Sequence, residues 1–255
     1  LGTHFTFPIQ KENNPITLLQ RSKKEFIDNS QKYGRKNIIG ETYIAEKERE
    51  LLLDNFSFKL WINKLISEGD FESYRTAIEE FQQSESSQIR HNLIKRMIKN
   101  TPGRILARYG TAHSVISSEL AKEGIKSSRE IMPTQFDHAT ILLRKIMLKK
   151  PISTEDIKKA FISEIIENSL LKSWGHTKKS MHNLKDKDII VFASVSFELI
   201  NHLPQSYINR IIEKKEFSLV FTFNGLSSAP THAQLMQWLD ANSVFWRTHY
   251  GSRAR

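Results

Sequence analysis

Short apolar runs recur along the chain, and each is followed by polar or turn-forming residues. Four of these runs predict buried strands, at residues 36–43, 104–111, 188–197 and 217–223. They are rich in Ile, Val and Phe, and runs of this length and composition are typical of strands with both faces covered. We therefore expect these segments to form a sheet in the interior of the protein.

Helical patterns of apolar residues separate the apolar runs. The predicted helices are 45–66, 74–81, 89–98, 114–122, 154–174, 198–215 (interrupted at Pro204) and 231–241. Ser153 to Asp156 provide a capping residue and acidic residues at the start of the long helix, and Gly124 is a typical glycine at a helix end. Strands that alternate with helices of this length predict an α/β fold, with a mainly parallel or mixed sheet flanked by helices on both faces.

The bulk composition narrows the class of protein. The 255 residues are 39% hydrophobic and 26% charged, which is ordinary for a globular protein. We expect one domain over residues 1–255, with a subdivision near residue 150 as the alternative. No apolar run approaches the roughly 18 residues that cross a bilayer, and residues 1–14 lack the pattern of a signal peptide. Both the cytoplasm and secretion as an effector stay open.

The absence of cysteine excludes several kinds of chemistry, and the excess of basic residues suggests a partner. With no Cys, disulfides, thiolate nucleophiles and Cys-ligated zinc are excluded. The formal net charge is +10, and residues 141–190 hold 11 Lys and Arg against 6 Asp and Glu. That segment could bind an anionic partner such as nucleic acid, phospholipid or an acidic protein. The alternative is a solvated face that only favours solubility.

Polar residues at the predicted strand ends are the candidate functional residues, because ligands of open α/β sheets bind at the carboxyl ends of strands. Gly110-Thr-Ala-His113 is the most informative of these segments. Its glycine permits a sharp turn after the strand, and His113 then lies near a helix N-terminus, where an imidazole can bind a metal or transfer a proton. Ser194, Asn224 and Tyr43 are further candidates at strand ends.

The motif around His113 resembles the ChaN, TIKI/TraB and erythromycin-esterase group, which includes a domain of a Pasteurella-type toxin. That group typically carries Gly-x-x-His at a strand end, after a helix that begins with Arg-Asn or Arg-Asp and before a Leu-x-x-x-Gly helix. The matching residues are Gly110 and His113, Arg90 with Asn92 or His91 beside it, and Leu120 with Gly124. The resemblance spans roughly residues 1–130.

An early motif of the same group is only partly matched. Gly40-Glu41-Thr42-Tyr43 resembles its Gly-Glu-x-His form with tyrosine in place of histidine, and Gly2-Thr3-His4 resembles its Gly-Thr-x-His form with one residue missing. The resemblance implies a hydrolase, from a bacterial effector or toxin, or an inactive relative of one. It also implies a divalent metal held by His113, Glu41 and His4.

The roles implied by the resemblance extend to other residues. Glu41 and His113 could alternatively transfer protons without a metal, and Arg90 would neutralise developing negative charge. The substrate-binding candidates are Gly40, Tyr43, Asn92, Gly110, Ser194 and Asn224. The alternatives are that His113 only caps its helix, that Glu41 only pairs with an arginine, and that the chain is a binding module without chemistry.

Overall fold

A computed structural model of the chain describes residues 45–100, 113, 115–126, 135–173 and 186–250. The α-helices of these residues are α1 (Glu46–Glu68), α2 (Phe71–Gln83), α3 (Ile89–Asn100), α4 (Ile116–Lys122), α5 (His138–Met147), α6 (Thr154–Ser173), α7 (Asp186–Asn201), α8 (Gln205–Lys214), α9 (Leu219–Phe223), α10 (His232–Asn242) and α11 (Val244–His249). A 3-10 helix, Glu85–Ser87, precedes α3. No strand occurs in the described ranges, and none of their helices is long and apolar enough to cross a membrane.

The α/β prediction is therefore wrong, since the described part of the chain is all-helical. Residues 188–197 lie within α7, and residues 217–223 form a turn followed by α9. The cause is burial: every residue from Val191 to Ser196 is buried. A helix with no solvent-facing stripe shows a continuous apolar run, which periodicity cannot distinguish from a buried strand. The predicted strands 36–43 and 104–111 lie outside the described residues.

The predicted helices are confirmed where capping signals or amphipathic patterns supported them. Before α6, the Ser153 hydroxyl accepts from the Asp156 amide at 3.1 Å, and the Asp156 carboxylate accepts from the Ser153 amide at 2.9 Å. This reciprocal capping satisfies amides that the helix leaves without partners. The predicted helix 198–215 is instead the end of α7 and the whole of α8, with Pro204 between them.

The described residues cluster into two compact units. The first unit contains residues 45–63 and 79–126, apart from those that are not described. In it, the Asn55 amide donates to the Ser86 carbonyl at 3.0 Å, and the rings of Phe58 and Phe81 stack with centroids 3.7 Å apart. Helix α3 packs against the 3-10 helix and α4. The prediction of a single domain concerned the whole chain and stays a prediction.

The second unit contains residues 64–78 together with the described residues from 135 to 250. Helix α6 packs against α5, α7 and α8, while α7 also contacts α9 and α10. Phe161 of α6 is fully buried, and its ring contacts those of Phe71, Tyr74 and Phe217 at centroid distances of 5.5, 5.0 and 6.3 Å. Aromatic contacts of this kind add to the burial of apolar area, so Phe161 is a central residue of this core.

Replacement of Phe161 tests this core. We expect Phe161→Ala to lower the free energy of unfolding by about 3–5 kcal/mol, because it leaves a cavity among three aromatic rings. Phe223→Ala is the matched control, since Phe223 is 40% exposed, and we expect it to cost about 1 kcal/mol or less. Urea denaturation followed by circular dichroism measures both, and equal losses would contradict this description of the core.

Candidate functional site

Two buried histidines and a glutamate meet where α3 packs against α4. His91 lies in the first turn of α3, His113 precedes α4, and Glu119 lies in the first turn of α4. Nδ1 of His91 is 3.5 Å from Nδ1 of His113, and Nε2 of His91 is 3.0 Å from Oε2 of Glu119. His91 and His113 are only 4% and 9% exposed. We call these three residues the relay, because hydrogen bonds join them in series.

The apolar pattern of the two helices brings the relay together. Ile116 and Leu120, one helical turn apart, are buried and fix the orientation of α4. Glu119 lies beside them at the edge of this face, with a side chain 26% exposed. In α3, Ile89 is buried together with His91. The helix packing therefore places a partly exposed carboxylate beside a buried imidazole.

His113 has an unusual environment for a histidine. Burial lowers its pKa to about 4, and the charge of Arg90, the neighbouring His91 and the charge of Lys59 act in the same direction. Desolvation and nearby cations both disfavour the imidazolium form. His113 is therefore neutral near pH 7.

Glu119 is ionised under the same conditions. Partial burial acts to raise its pKa, but the hydrogen bonds from His91 and Lys95 lower it overall. Lys95 Nζ is 3.3 Å from Oε2 of Glu119 and 2.6 Å from Oε1 of Glu123. Lys95 and Lys99 lower the pKa of Glu123 to about 2. This network of charges keeps a carboxylate next to His91 across the neutral pH range.

The protonation of the relay follows from the chemistry of its partners. The ionised Glu119 can only accept, so Nε2 of His91 carries a proton. In the tautomer of His91 whose Nδ1 accepts, Nδ1 of His113 donates to it and Nε2 of His113 has the lone pair. Such a nitrogen can accept a proton from a reacting molecule.

Two of the predicted site residues lie on α3 near the relay. Arg90 immediately precedes His91, and its charge acts on His113. Partial desolvation lowers the pKa of Arg90, although the residue remains exposed to solvent. Asn92 is exposed on the same helix. The predicted residues His4, Gly40, Glu41, Tyr43 and Gly110 lie outside the described residues.

Ser194 and Asn224 are in the second unit, and the strands that suggested them as substrate-binding residues are helices. Ser194 lies within α7 and is 0% exposed. Asn224 follows α9, and its amide donates to the carbonyls of Leu199 at 3.2 Å and Val220 at 2.7 Å. Its own carbonyl accepts from Nε1 of Trp238 at 3.0 Å. These bonds give Asn224 a structural role at the end of α9.

The described residues of the site do not converge on a metal ion. His91 and His113 direct their Nδ1 atoms at each other, and Glu119 takes the remaining nitrogen of His91. In the described ranges, no group of three or more His, Cys, Asp or Glu side chains is placed to hold a metal. The predicted ligand set includes His4 and Glu41, which are not described, so a metal at His113 stays a prediction.

The sequence predicted His113 and Arg90 but not Glu119, and it suggested His91 only as the alternative to Asn92 beside Arg90. The signal for Glu119 was its position in the first turn of the helix that follows His113. The signal for His91 was its position on an otherwise basic helix with an apolar face. Neither signal specifies which faces of two helices meet, so the relay needed the structure.

In the described part of the basic region, several lysine side chains already form ion pairs or hydrogen bonds with other residues of the protein. Lys145 lies 2.7 Å from Asp156, Lys159 lies 3.4 Å from Glu155, and Lys158 donates to Asn209 at 2.7 Å. Residues 174–185, which carry further basic residues, lie outside the described residues. An anionic partner at residues 141–190 therefore stays a prediction.

Comparisons of the chain with protein-family models, with curated proteins and with solved structures found no match. They do not bear on the resemblance to the ChaN, TIKI/TraB and erythromycin-esterase group, which stays a prediction. We therefore infer the function from the geometry and electrostatics of the relay.

The depressed pKa of His113 predicts how stability depends on pH. Below the ordinary histidine pKa of about 6.5, the unfolded chain binds a proton that folded His113 does not bind until about pH 4. The free energy of unfolding should therefore fall as the pH is lowered from about 6.5 to 4, by up to about 1.4 kcal/mol per pH unit from this residue.

Urea denaturation at several pH values measures this slope. His113→Gln should reduce the slope but not remove it, because burial also lowers the pKa of His138 to about 4. His138→Gln serves as the comparison, since it should reduce the slope by a similar amount. A slope that His113→Gln leaves unchanged would show that His113 titrates alike in the folded and unfolded chain.

Proposed function

We propose that the chain is a hydrolase of esters or amides in which His113 is the general base and its proton is passed on through His91 towards Glu119. The observation that carries this proposal is the series of hydrogen bonds Glu119–His91–His113, with both imidazoles buried. A base that is oriented by a second group, itself oriented by a carboxylate, is the arrangement that acid–base and nucleophilic catalysis uses on many folds.

Without the relay, buried His113 would be too weak a base. A desolvated imidazole is a weak base, since its charged form is disfavoured. When Nε2 of His113 removes a proton from water, its Nδ1 proton moves to Nδ1 of His91. The positive charge then lies on His91, 3.0 Å from the Glu119 carboxylate. Opposite charges at this distance stabilise each other, so the weak base becomes effective.

The same relay returns the proton to the leaving group. After attack of water on the carbonyl carbon, Nε2 of His113 carries the proton, and the C–O or C–N bond of the tetrahedral intermediate breaks. Nε2 donates its proton to the departing oxygen or nitrogen, while Nδ1 of His113 takes its proton back from His91. The relay ends in its starting state, as general acid–base catalysis requires.

Arg90 supplies the positive charge that a tetrahedral intermediate needs. It is exposed beside His91, and its charge acts on His113. A cation at a developing oxyanion stabilises the transition state more than the substrate. In this proposal His113 and Arg90 contact the substrate, whereas His91 and Glu119 are positioning residues.

The helical scaffold is compatible with this chemistry, because catalytic function depends on the site and the same chemistry recurs on unrelated folds. In this mechanism Glu119 is the carboxylate that assists His113, a role that the resemblance implied for Glu41. Glu41 lies outside the described residues, and its participation stays a prediction.

Hydrolysis of p-nitrophenyl acetate by purified variants tests the proposal. We expect His113→Ala to lower kcat/KM by about 100-fold or more, which is the ordinary contribution of a general base. Glu119→Gln should lower kcat by about tenfold with little change in KM, because it removes the charge that stabilises protonated His91. The absorbance of released p-nitrophenolate, followed over a range of substrate concentrations, gives kcat and KM.

Glu123→Gln is the matched control for Glu119→Gln. It makes the same substitution four residues further along and breaks the contacts with Lys95 and Lys99, but Glu123 is not bonded to a relay histidine. Its kinetic constants should stay within about twofold of the parent values. Equal losses for the two glutamate variants, or a fully active His113→Ala variant, would refute the relay mechanism.

A further inference from the structure

Hydrogen-bond donors of α3 and carboxylates of α4 alternate across the contact between these two helices. His91, Lys95 and Lys99 follow one another at intervals of four residues, which places them on one face of α3. Glu119 in α4 and Glu123 directly after it have the same spacing. Glu123 lies between Nζ of Lys95 at 2.6 Å and Nζ of Lys99 at 2.7 Å. Each carboxylate is therefore held by two donors of α3, since Glu119 contacts His91 and Lys95.

Lys95 and His91 share a single oxygen of Glu119. Nε2 of His91 lies 3.0 Å from Oε2 of Glu119, and Nζ of Lys95 lies 3.3 Å from the same atom. The side chain of Glu119 is 26% exposed, so water is available to it as an alternative partner. The bond from Lys95 opposes rotation of the carboxylate towards solvent, because that rotation would separate two opposite charges in a partly desolvated position. Lys95 thus restricts Glu119 to rotamers in which His91 keeps its acceptor.

Lys95 is also the donor to Glu119 that is charged before any proton moves. In the resting state of the proposed relay His91 is neutral, and a positive charge forms on it only during proton transfer. The bonds to Glu123 and Glu119 raise the pKa of Lys95, so its charge persists throughout the neutral range. Of the two donors that contact Glu119 in the described part of the chain, Lys95 is therefore the permanent counter-ion.

We infer that Lys95 is a positioning residue of the relay, which holds the Glu119 carboxylate as an anion against Nε2 of His91. This inference rests on the proposed function, because the position of Glu119 affects catalysis only if the proton of His113 passes to His91. The positive charge of Lys95 is partly offset by Glu123, 2.6 Å away, and this limits its repulsion of protonated His91. Lys95 acts on the reaction only through Glu119.

The groups around Glu119 decide the sign of the resulting pH effect. In the described ranges, the charged and titratable groups that face the relay are Lys95, Glu123, Arg90, Lys59 and the relay's own imidazoles. Partial burial acts to raise the pKa of Glu119, and the bonds from His91 and Lys95 lower it overall. The carboxylate is thus present above this lowered pKa and is lost as the pH falls through it. Without Lys95 the pKa of Glu119 rises, so the relay loses its anion at a higher pH.

Carboxyl ¹³C titrations of the full chain test the inference without an activity assay. Lys95→Met should raise the pKa of both Glu119 and Glu123, because it removes a cation from each. Lys99→Met is the matched control, since Lys99 contacts Glu123, and it should raise the pKa of Glu123 alone. Lys95→Arg keeps the charge and should leave the titration of Glu119 close to that of the parent. A Glu119 titration that Lys95→Met leaves unchanged, or that Lys99→Met shifts equally, would overturn the inference.

The pH profile of p-nitrophenyl acetate hydrolysis tests the consequence for catalysis. Lys95→Met should lower kcat at pH 7 by about threefold with little change in KM, less than Glu119→Gln does, because the carboxylate remains but is held less firmly. The midpoint of the acidic limb of kcat/KM should move to higher pH in Lys95→Met and stay at the parent value in Lys99→Met. A purely structural role for Lys95 would lower activity without moving this midpoint.

The His113→Ala variant distinguishes failure of this inference from failure of the proposed function. If His113→Ala is inactive and Lys95→Met leaves the midpoint where it is in the parent, the inference about Lys95 is wrong while the relay stands. A fully active His113→Ala variant would refute the proposed function and this inference with it. An inactive His113→Ala variant together with an upward shift of the midpoint in Lys95→Met, but not in Lys99→Met, is the expected result.

Discussion

Hydrogen bonds between polar side chains that the packing removes from water join one helix to another in both units. In the second unit, the hydroxyls of Ser163 and Ser196 are 2.6 Å apart between α6 and α7, in a wholly buried position. In the first unit, buried His91 meets Glu119 across α3 and α4. A buried polar group without a partner costs about 1–3 kcal/mol, so these pairs restrict how the apolar helix faces can pack. Apolar burial favours compact packing, and the polar pairs select one arrangement.

The same burial produces the chemistry of the candidate site. Desolvation holds His113 neutral, and a neutral imidazole has a lone pair on one ring nitrogen, which is Nε2 in the proposed relay. An isolated buried imidazole would remain a poor base. The bond to His91, and through it to Glu119, provides a place where a proton's charge is stabilised. The packing of α3 against α4 and the proposed function therefore depend on the same contact.

Local signals in the sequence predicted α6, whose cap at Ser153 was recognised, and α10, whose helical pattern was recognised at residues 231–241. They failed for α7, because a helix buried on every side presents the unbroken apolar run of a strand. Some residues of the candidate site could likewise be predicted from the sequence, and others could not. His113 stood out as a histidine beside a glycine turn, whereas Glu119 depends on how α3 and α4 pack, and no local pattern encodes that pairing.

The proposed mechanism requires His113 to be a neutral base that is linked through His91 to ionised Glu119. Long-range ¹H–¹⁵N correlation spectra of the histidine rings at pH 7 measure the position of each proton. We expect His91 to be protonated at Nε2 and His113 at Nδ1, with no proton on Nε2 of His113. A charged His113, or a His113 protonated only at Nε2, would contradict it.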